Sequence, residues 1–284
     1  MNYMYLYFTK RISNKFFSTT AILNKHFSPD NIFSPLNKVK FQECSNIDHR
    51  WTYNADHLMK IRQAAVLVPL CIVDPADYSL ENVQIPLIPS SSILFIRRTK
   101  FLFRNSGDIS FPGGIFEIDK DQSLKDTALR ETLEEVGLNP DRIDLWSELN
   151  PFPSRDLKTL ITPFVGFVSG GFINESQLKL CETEVEQAIF VPIRDLCNPN
   201  NIAHTQYKIA GKMTYSLPIY FVKPPKNNHN KFIDIKSKSL EDSKIRIWGL
   251  TAIILHHVLK ILLPPSVYGY KIPLIPKIET ITNI

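Results

Sequence analysis

Residues 111–138 read FPGGIFEIDKDQSLKDTALRETLEEVGL, a glycine turn leading into a helix that stops at another glycine. Pro112 fixes one backbone dihedral and Gly113 and Gly114 free the next two, so Phe111 to Gly114 must turn tightly. Leu124, Ala128, Leu129, Leu133 and Val136 then recur at helical spacing. Ser123 with Asp126 three residues on approximates a capping box, and Gly137 followed by Pro140 supplies the stop. On that helix Glu131, Glu134 and Glu135 stand at i, i+3 and i+4, so their carboxylates leave from one side. Such a run is common on solvated helices. Here it has unusual company: a Gly-Gly turn, Arg130 directly before the first Glu, and Gly137 two residues after the last. A hard cation would relieve the repulsion, because Mg²⁺ takes carboxylate oxygens together with water and substrate phosphates.

Working outward, Ala64 to Val73 is an apolar run rich in branched residues and reads as a buried strand. After a Pro-containing connection from Asp74 to Ser92, Ile93 to Ile96 reads as a second strand with Arg97 and Arg98 at its exit. Leu160 to Val168, Ala188 to Ile193 and Leu217 to Val222 look like further strands. The polar segment from Lys223 to Lys244 looks like a long loop, and Ile247 to Leu263 like a last, core-packed helix that Trp248 enters as a core residue. Mixed strands and helices without regular βαβ alternation give an α+β class with a mixed sheet.

The chain has 284 residues and 44% apolar content, enough for one well-buried domain plus extensions. Its formal charge of +5 is concentrated at the front, where Lys10, Arg11, Lys15 and Lys25 precede the first acid, Asp30. The remainder is nearly neutral, so no nucleic-acid partner is expected. Residues 1–29 have the acid-free, Ser- and Thr-containing composition of a mitochondrial presequence. Residues 30–63 read as an extension on the domain surface, 64–263 as the domain, and 264–284 as a tail. Cys44, Cys71, Cys181 and Cys197 form no CxxC pair and read as ordinary reduced residues. Ile247 to Leu263 is interrupted by His256, His257 and Lys260, so no transmembrane segment is expected.

The run from Gly114 to Arg130-Glu131-Thr132-Leu133-Glu134-Glu135-Val136-Gly137-Leu138 resembles the Nudix box, with Thr132 in an apolar slot and a spacer two residues longer than usual. By that resemblance the fold is an α/β/α sandwich around a central mixed β-sheet. Glu131, Glu134 and Glu135 match metal ligands, the carbonyl of Gly113 a backbone ligand, and Arg130 the residue that holds the glutamates. The pattern's early glutamate has Glu117, Asp119 and Asp121 as neighbouring counterparts. Leu94 to Thr99 with Gly107 to Gly114 is similar to the motif preceding the box in coenzyme A diphosphatases, although Phe103 stands where that motif has Arg and Arg104 comes one position later. Leu160 to Gly166, Glu184-Val185 to Val191-Pro192, and Ile247 to Ala252 extend the likeness across Ala64 to Leu263.

The resemblance implies a Mg²⁺- or Mn²⁺-dependent enzyme that cuts coenzyme A, or an acyl derivative, into 4′-phosphopantetheine and adenosine 3′,5′-bisphosphate. Glu135 is the expected general base, and Glu184 a candidate extra ligand or else part of an exposed alternating face with Glu182 and Glu186. Arg97, Arg98, Lys100 and Arg104 are expected at the substrate's phosphates or as solvated strand-end charges. Competing expectations are a diphosphatase acting on oxidised nucleoside triphosphates or dinucleotides such as NADH, and a catalytically silent Nudix domain. The leader points to mitochondria, with peroxisomes as the alternative; Thr-Asn-Ile at the end is no Ser-Lys-Leu tripeptide.

Overall fold

A computed structural model describes residues 26–45, 61–73, 90–101, 106–209, 213–223 and 244–271. The leading residues and the expected Lys223–Lys244 loop lie largely outside this set, as does Arg104.

The expected first strand is β1 (Arg62–Val73), and it forms the centre of the molecule. It runs parallel to β7 (Thr159–Val168) along one edge. Its other edge is shared between β4 (Gly113–Ile115) at Ala64–Val66 and β2 (Ser90–Arg98) at Leu70–Val73, both antiparallel. Pro69, which has no N–H to donate, falls in the gap between these two partners. The main sheet runs β3 (Ile109–Ser110), β2, β1, β7, β5 (Ile143–Glu148); β6 (Phe152–Pro153) adds to β7 and β8 (Val185–Pro192) to β2. One parallel pair among antiparallel neighbours makes it the mixed sheet the sequence predicts. A second antiparallel sheet, which the sequence pattern does not announce, joins β9 (Ile202–Ile209), β10 (Met213–Val222) and β11 (Ile245–Ile247).

Helices cover both faces. The three longest among the described residues are α1 (Pro35–Ser45), α2 (Leu124–Val136) and α3 (Gly249–Leu262). On one side Val136 and Leu138 bury with Cys71, Leu94, Ile96 and Val185, while Ala128 packs on Ala65, Leu67 and Phe164. On the other, Leu255, Val258 and Leu259 of α3 join Val68, Ile93, Phe95 and Phe111 in the larger cluster. Ile32 and Phe41 belong to that same cluster with no exposure, so the described residues 26–45 contribute to the core instead of lying over it. Beyond α3, the Tyr268 hydroxyl lies 2.5 Å from that of Tyr220 and 2.8 Å from His256 Nδ1, a chain of polar groups closed inside apolar surroundings.

Helix α2 begins and ends where its sequence says. Ser123 Oγ accepts the Asp126 N–H at 3.3 Å, and Gly137, at φ 70°, closes the other end by donating its N–H to the Leu133 carbonyl. The apolar stripe is shifted from expectation: Leu133 keeps 44% of its surface exposed, whereas Thr132 is buried. Its hydroxyl donates to the Ala128 carbonyl at 2.6 Å, which satisfies its polar atom and lets it fill an apolar slot.

Candidate active site

The turn lies hard against both β1 and α2, and the missing side chains of Gly113 and Gly114 make that possible. A Cβ on Gly113, whose φ is +149°, would collide with the Ala65 carbonyl oxygen. One on Gly114 would collide with the Glu131 carboxyl group. With the turn so close, the Gly113 N–H donates to Glu135 Oε2 at 2.9 Å. Gly113 thus fixes Glu135 through its amide, while the expectation for its carbonyl concerns a bound cation.

Arg130 organises the acids. Its Nε and Nη2 grip Asp121 at 2.7 and 2.9 Å, and its Nη1 reaches Glu131 at 2.9 Å and Glu134 at 3.1 Å. Asp121 is buried and also accepts from the Thr127 hydroxyl and the Glu117 N–H. The Arg130 guanidinium holds the Asp121 carboxyl well below the usual range. Of the three acids considered for the early position, Asp121 takes this seat; exposed Glu117 comes only within 3.9 Å of Arg130. The signal for it in the sequence is Arg130 itself, since its two glutamates satisfy one end of a fork that needs a planar partner at the other.

Glu135 faces inward with 2% exposure, and burial pushes its carboxyl up to about 8 despite the Gly113 N–H and Arg98, whose Nη1 lies 3.6 Å from Oε1. Burial also raises Glu131. Glu184, from the distant segment before β8, adds negative potential at both, and its carbonyl accepts the Thr99 N–H at 2.9 Å. The fold therefore brings Glu131, Glu134, Glu135 and Glu184 to one area. Among the described residues no three His, Cys, Asp or Glu side chains form a ready-made metal cage. Two of the acids are engaged by Arg130, and a Mg²⁺-type centre, completed by water and phosphate oxygens, needs no all-protein cage. The donor set fits such a cation: hard oxygens, with Glu135 in its ionised form lacking sufficient positive partners.

Of the four basic residues expected at the phosphates, Arg97, Arg98 and Lys100 are among the described residues, and these three do not converge. Strand alternation sends Arg98 to the α2 face with Leu94 and Ile96, and Arg97 to the opposite face with Ile93 and Phe95. Both arginines carry a buried Nε without a hydrogen-bond partner. Lys100 is exposed on the following turn. Trp248 is not the core residue expected: it precedes α3, keeps 37% of its surface exposed, and donates its Nε1–H to Asp108 at 3.2 Å.

A family model described as the NUDIX domain matches residues 81–212. Nudix hydrolase 3 of Caenorhabditis elegans is 31% identical over 207 residues, covering 72% of this chain and 81% of that one. The chain belongs to the Nudix hydrolase family. This Nudix hydrolase is also 31% identical to the mitochondrial coenzyme A diphosphatase NUDT8 of Mus musculus, over 71% of this chain and 78% of the relative. It shares 31% identity with the peroxisomal coenzyme A diphosphatase NUDT7 of the same organism over 54% of this chain and 63% of that protein.

Proposed function

We propose that this Nudix hydrolase cleaves the diphosphate of coenzyme A or an acyl derivative, with Mg²⁺ or Mn²⁺ as cofactor, releasing 4′-phosphopantetheine and adenosine 3′,5′-bisphosphate. The names of two relatives and the run from Leu94 to Gly114 support the substrate class. The observation that carries the reaction is the buried Glu135 carboxylate beside Arg98, a proton acceptor and an anion-binding cation 3.6 Å apart. Glu131, Glu134, Glu135 and Glu184 would hold the cation. When bound, it neutralises charge on the diphosphate and makes water more acidic.

The remaining steps belong to side chains. Arg130, fixed by Asp121, orients Glu131 and Glu134. The Gly113 N–H occupies Oε2 of Glu135, which leaves Oε1 to receive the proton of the attacking water. Arg98, with an unpartnered Nε, holds a phosphate oxygen; Lys100 and Arg104 belong to the same proposed anion-binding group, whereas Arg97 lies on the other face of β2. The leader of residues 1–29 would direct the 64–263 domain to mitochondria, which imaging fusions with and without that segment would test.

Purified protein with Mg²⁺ should be offered coenzyme A, oxidised dGTP and NADH, and the products weighed by mass spectrometry. Release of adenosine 3′,5′-bisphosphate is the expected result. Turnover confined to the triphosphate or to NADH overturns the substrate assignment.

A further inference from the structure

Strand β11 alternates sharply: Ile245 and Ile247 are buried in the cluster that holds Ile109 and Phe111, so Arg246 and Trp248 share the outward side. The Arg246 guanidinium carbon lies 4.8 Å from the centre of the indole, and the indole N–H is tied to Asp108. An exposed tryptophan held from two directions has little rotational freedom left to lose on binding a flat ligand. Its place relative to the acids follows from Asp108. While the Asp108 side chain takes the Trp248 N–H, its backbone carbonyl accepts the Arg98 N–H at 3.0 Å. Arg98 in turn reaches Glu135. Asp108 and Arg98 thus link the indole to the buried carboxylate.

We propose that Trp248, backed by Arg246, is the platform on which the adenine base of the substrate stacks at the rim of the acidic site. Indole and guanidinium surfaces both attract nucleobases, and stacking tolerates the sugar and phosphate extending inward toward Arg98. A purine nucleotide end suits a π surface and a cation, whereas the pantetheine end is aliphatic and offers neither. The assignment deepens the coenzyme A reading and rests on it for the choice of adenine.

The test is calorimetric binding of adenosine 3′,5′-bisphosphate, which has no diphosphate to be cut, to the full chain in magnesium buffer. Trp248→Leu should weaken binding about ten-fold or more, and Trp248→Phe should restore most of it, because Phe stacks but cannot donate to Asp108. Equal affinity in wild type and Trp248→Leu overturns the proposal. So does a Phe variant as weak as Leu, which would make the indole a tie to Asp108, or no measurable binding by the wild type. The outcomes are separable from the substrate test: cleavage of coenzyme A with unchanged binding by Trp248→Leu removes the platform alone. Trp248-dependent binding without coenzyme A cleavage removes the substrate assignment and leaves an adenine-nucleotide platform.

Discussion

Replacing Asp121 by Asn should loosen the acidic site from behind without touching a single glutamate. The Asp121 side chain has no exposure and meets Arg130 through two hydrogen bonds, at 2.7 and 2.9 Å. An Asn oxygen in place of Oδ2 can still accept from Thr127 and the Glu117 N–H, but its NH₂ then faces the Arg130 Nε, donor against donor. Removing one partner of a buried pair costs ~3–5 kcal/mol. Because Arg130 keeps Glu131 and Glu134, the loss should fall at the low end, about 3 kcal/mol, or roughly 6–12 °C in Tm for a domain of this size. The pH dependence has a definite sign. The Asp121 carboxyl is depressed in the folded chain, so its contribution is fully present above the unfolded value of ~3.9 and disappears as pH falls through the folded value. Urea unfolding of wild type and variant should therefore show a constant gap from about pH 7 to 5 that closes only below ~4. Turnover should drop ~10-fold as the guanidinium that positions Glu131 and Glu134 loses its own anchor. A gap under ~0.5 kcal/mol, the range of ordinary surface changes, or one that widens toward acid, refutes the anchoring role.

Glu135→Gln should lower turnover by orders of magnitude while folding normally. In chelator the folded carboxyl is raised, so wild-type stability present below pH 4.5 is lost as pH climbs toward about 8, and the variant should lack this slope in thermal melts; wild-type turnover by the variant would remove Glu135 from the chemistry. Gly113→Ala should destabilise by ~2 kcal/mol or more, since its Cβ meets backbone, whereas Gly114→Ala meets a movable Glu131 side chain and should cost activity more than stability; paired melts and rates decide. Burial lowers His256 to about 4, so the unfolded chain takes up a proton first as pH falls below ~6.5. Wild type should lose about 2 kcal/mol between pH 7.5 and 5 from this residue, a loss that denaturant titrations of His256→Gln should not show.

Much of the site is legible in the sequence because its parts are local. A cap at Ser123, a stop at Gly137 and three glutamates within one helical turn and a half are short-range statements, and the fold keeps them. What is less legible depends on where distant segments meet. Asp121 is one of three acids in a loop of unusual length, and only the reach of Arg130 separates it from Glu117. Arg97 and Arg98 adjoin and so suggest one group, though strand alternation, readable in Ile93 to Ile96, already argues for opposite faces. Trp248 stands one residue before a helix and invites assignment to it, while the pattern it obeys is that of the strand before it. Ile32 and Phe41 carry no periodicity long enough to announce themselves, yet both are fully enclosed.

The hydroxyl of Tyr268 limits how this enzyme can be trimmed. A recombinant chain ending at Leu263 would keep every residue of α3 and still strip two enclosed groups, the Tyr220 hydroxyl and the His256 ring, of the atom they share. Each would then lose its hydrogen-bond partner, a penalty of ~1–3 kcal/mol apiece for a group that stays buried. Affinity tags, fusion joints and crystallisation truncations therefore belong beyond Tyr268, and a shortened protein that aggregates would say more about the cut than about the catalytic domain.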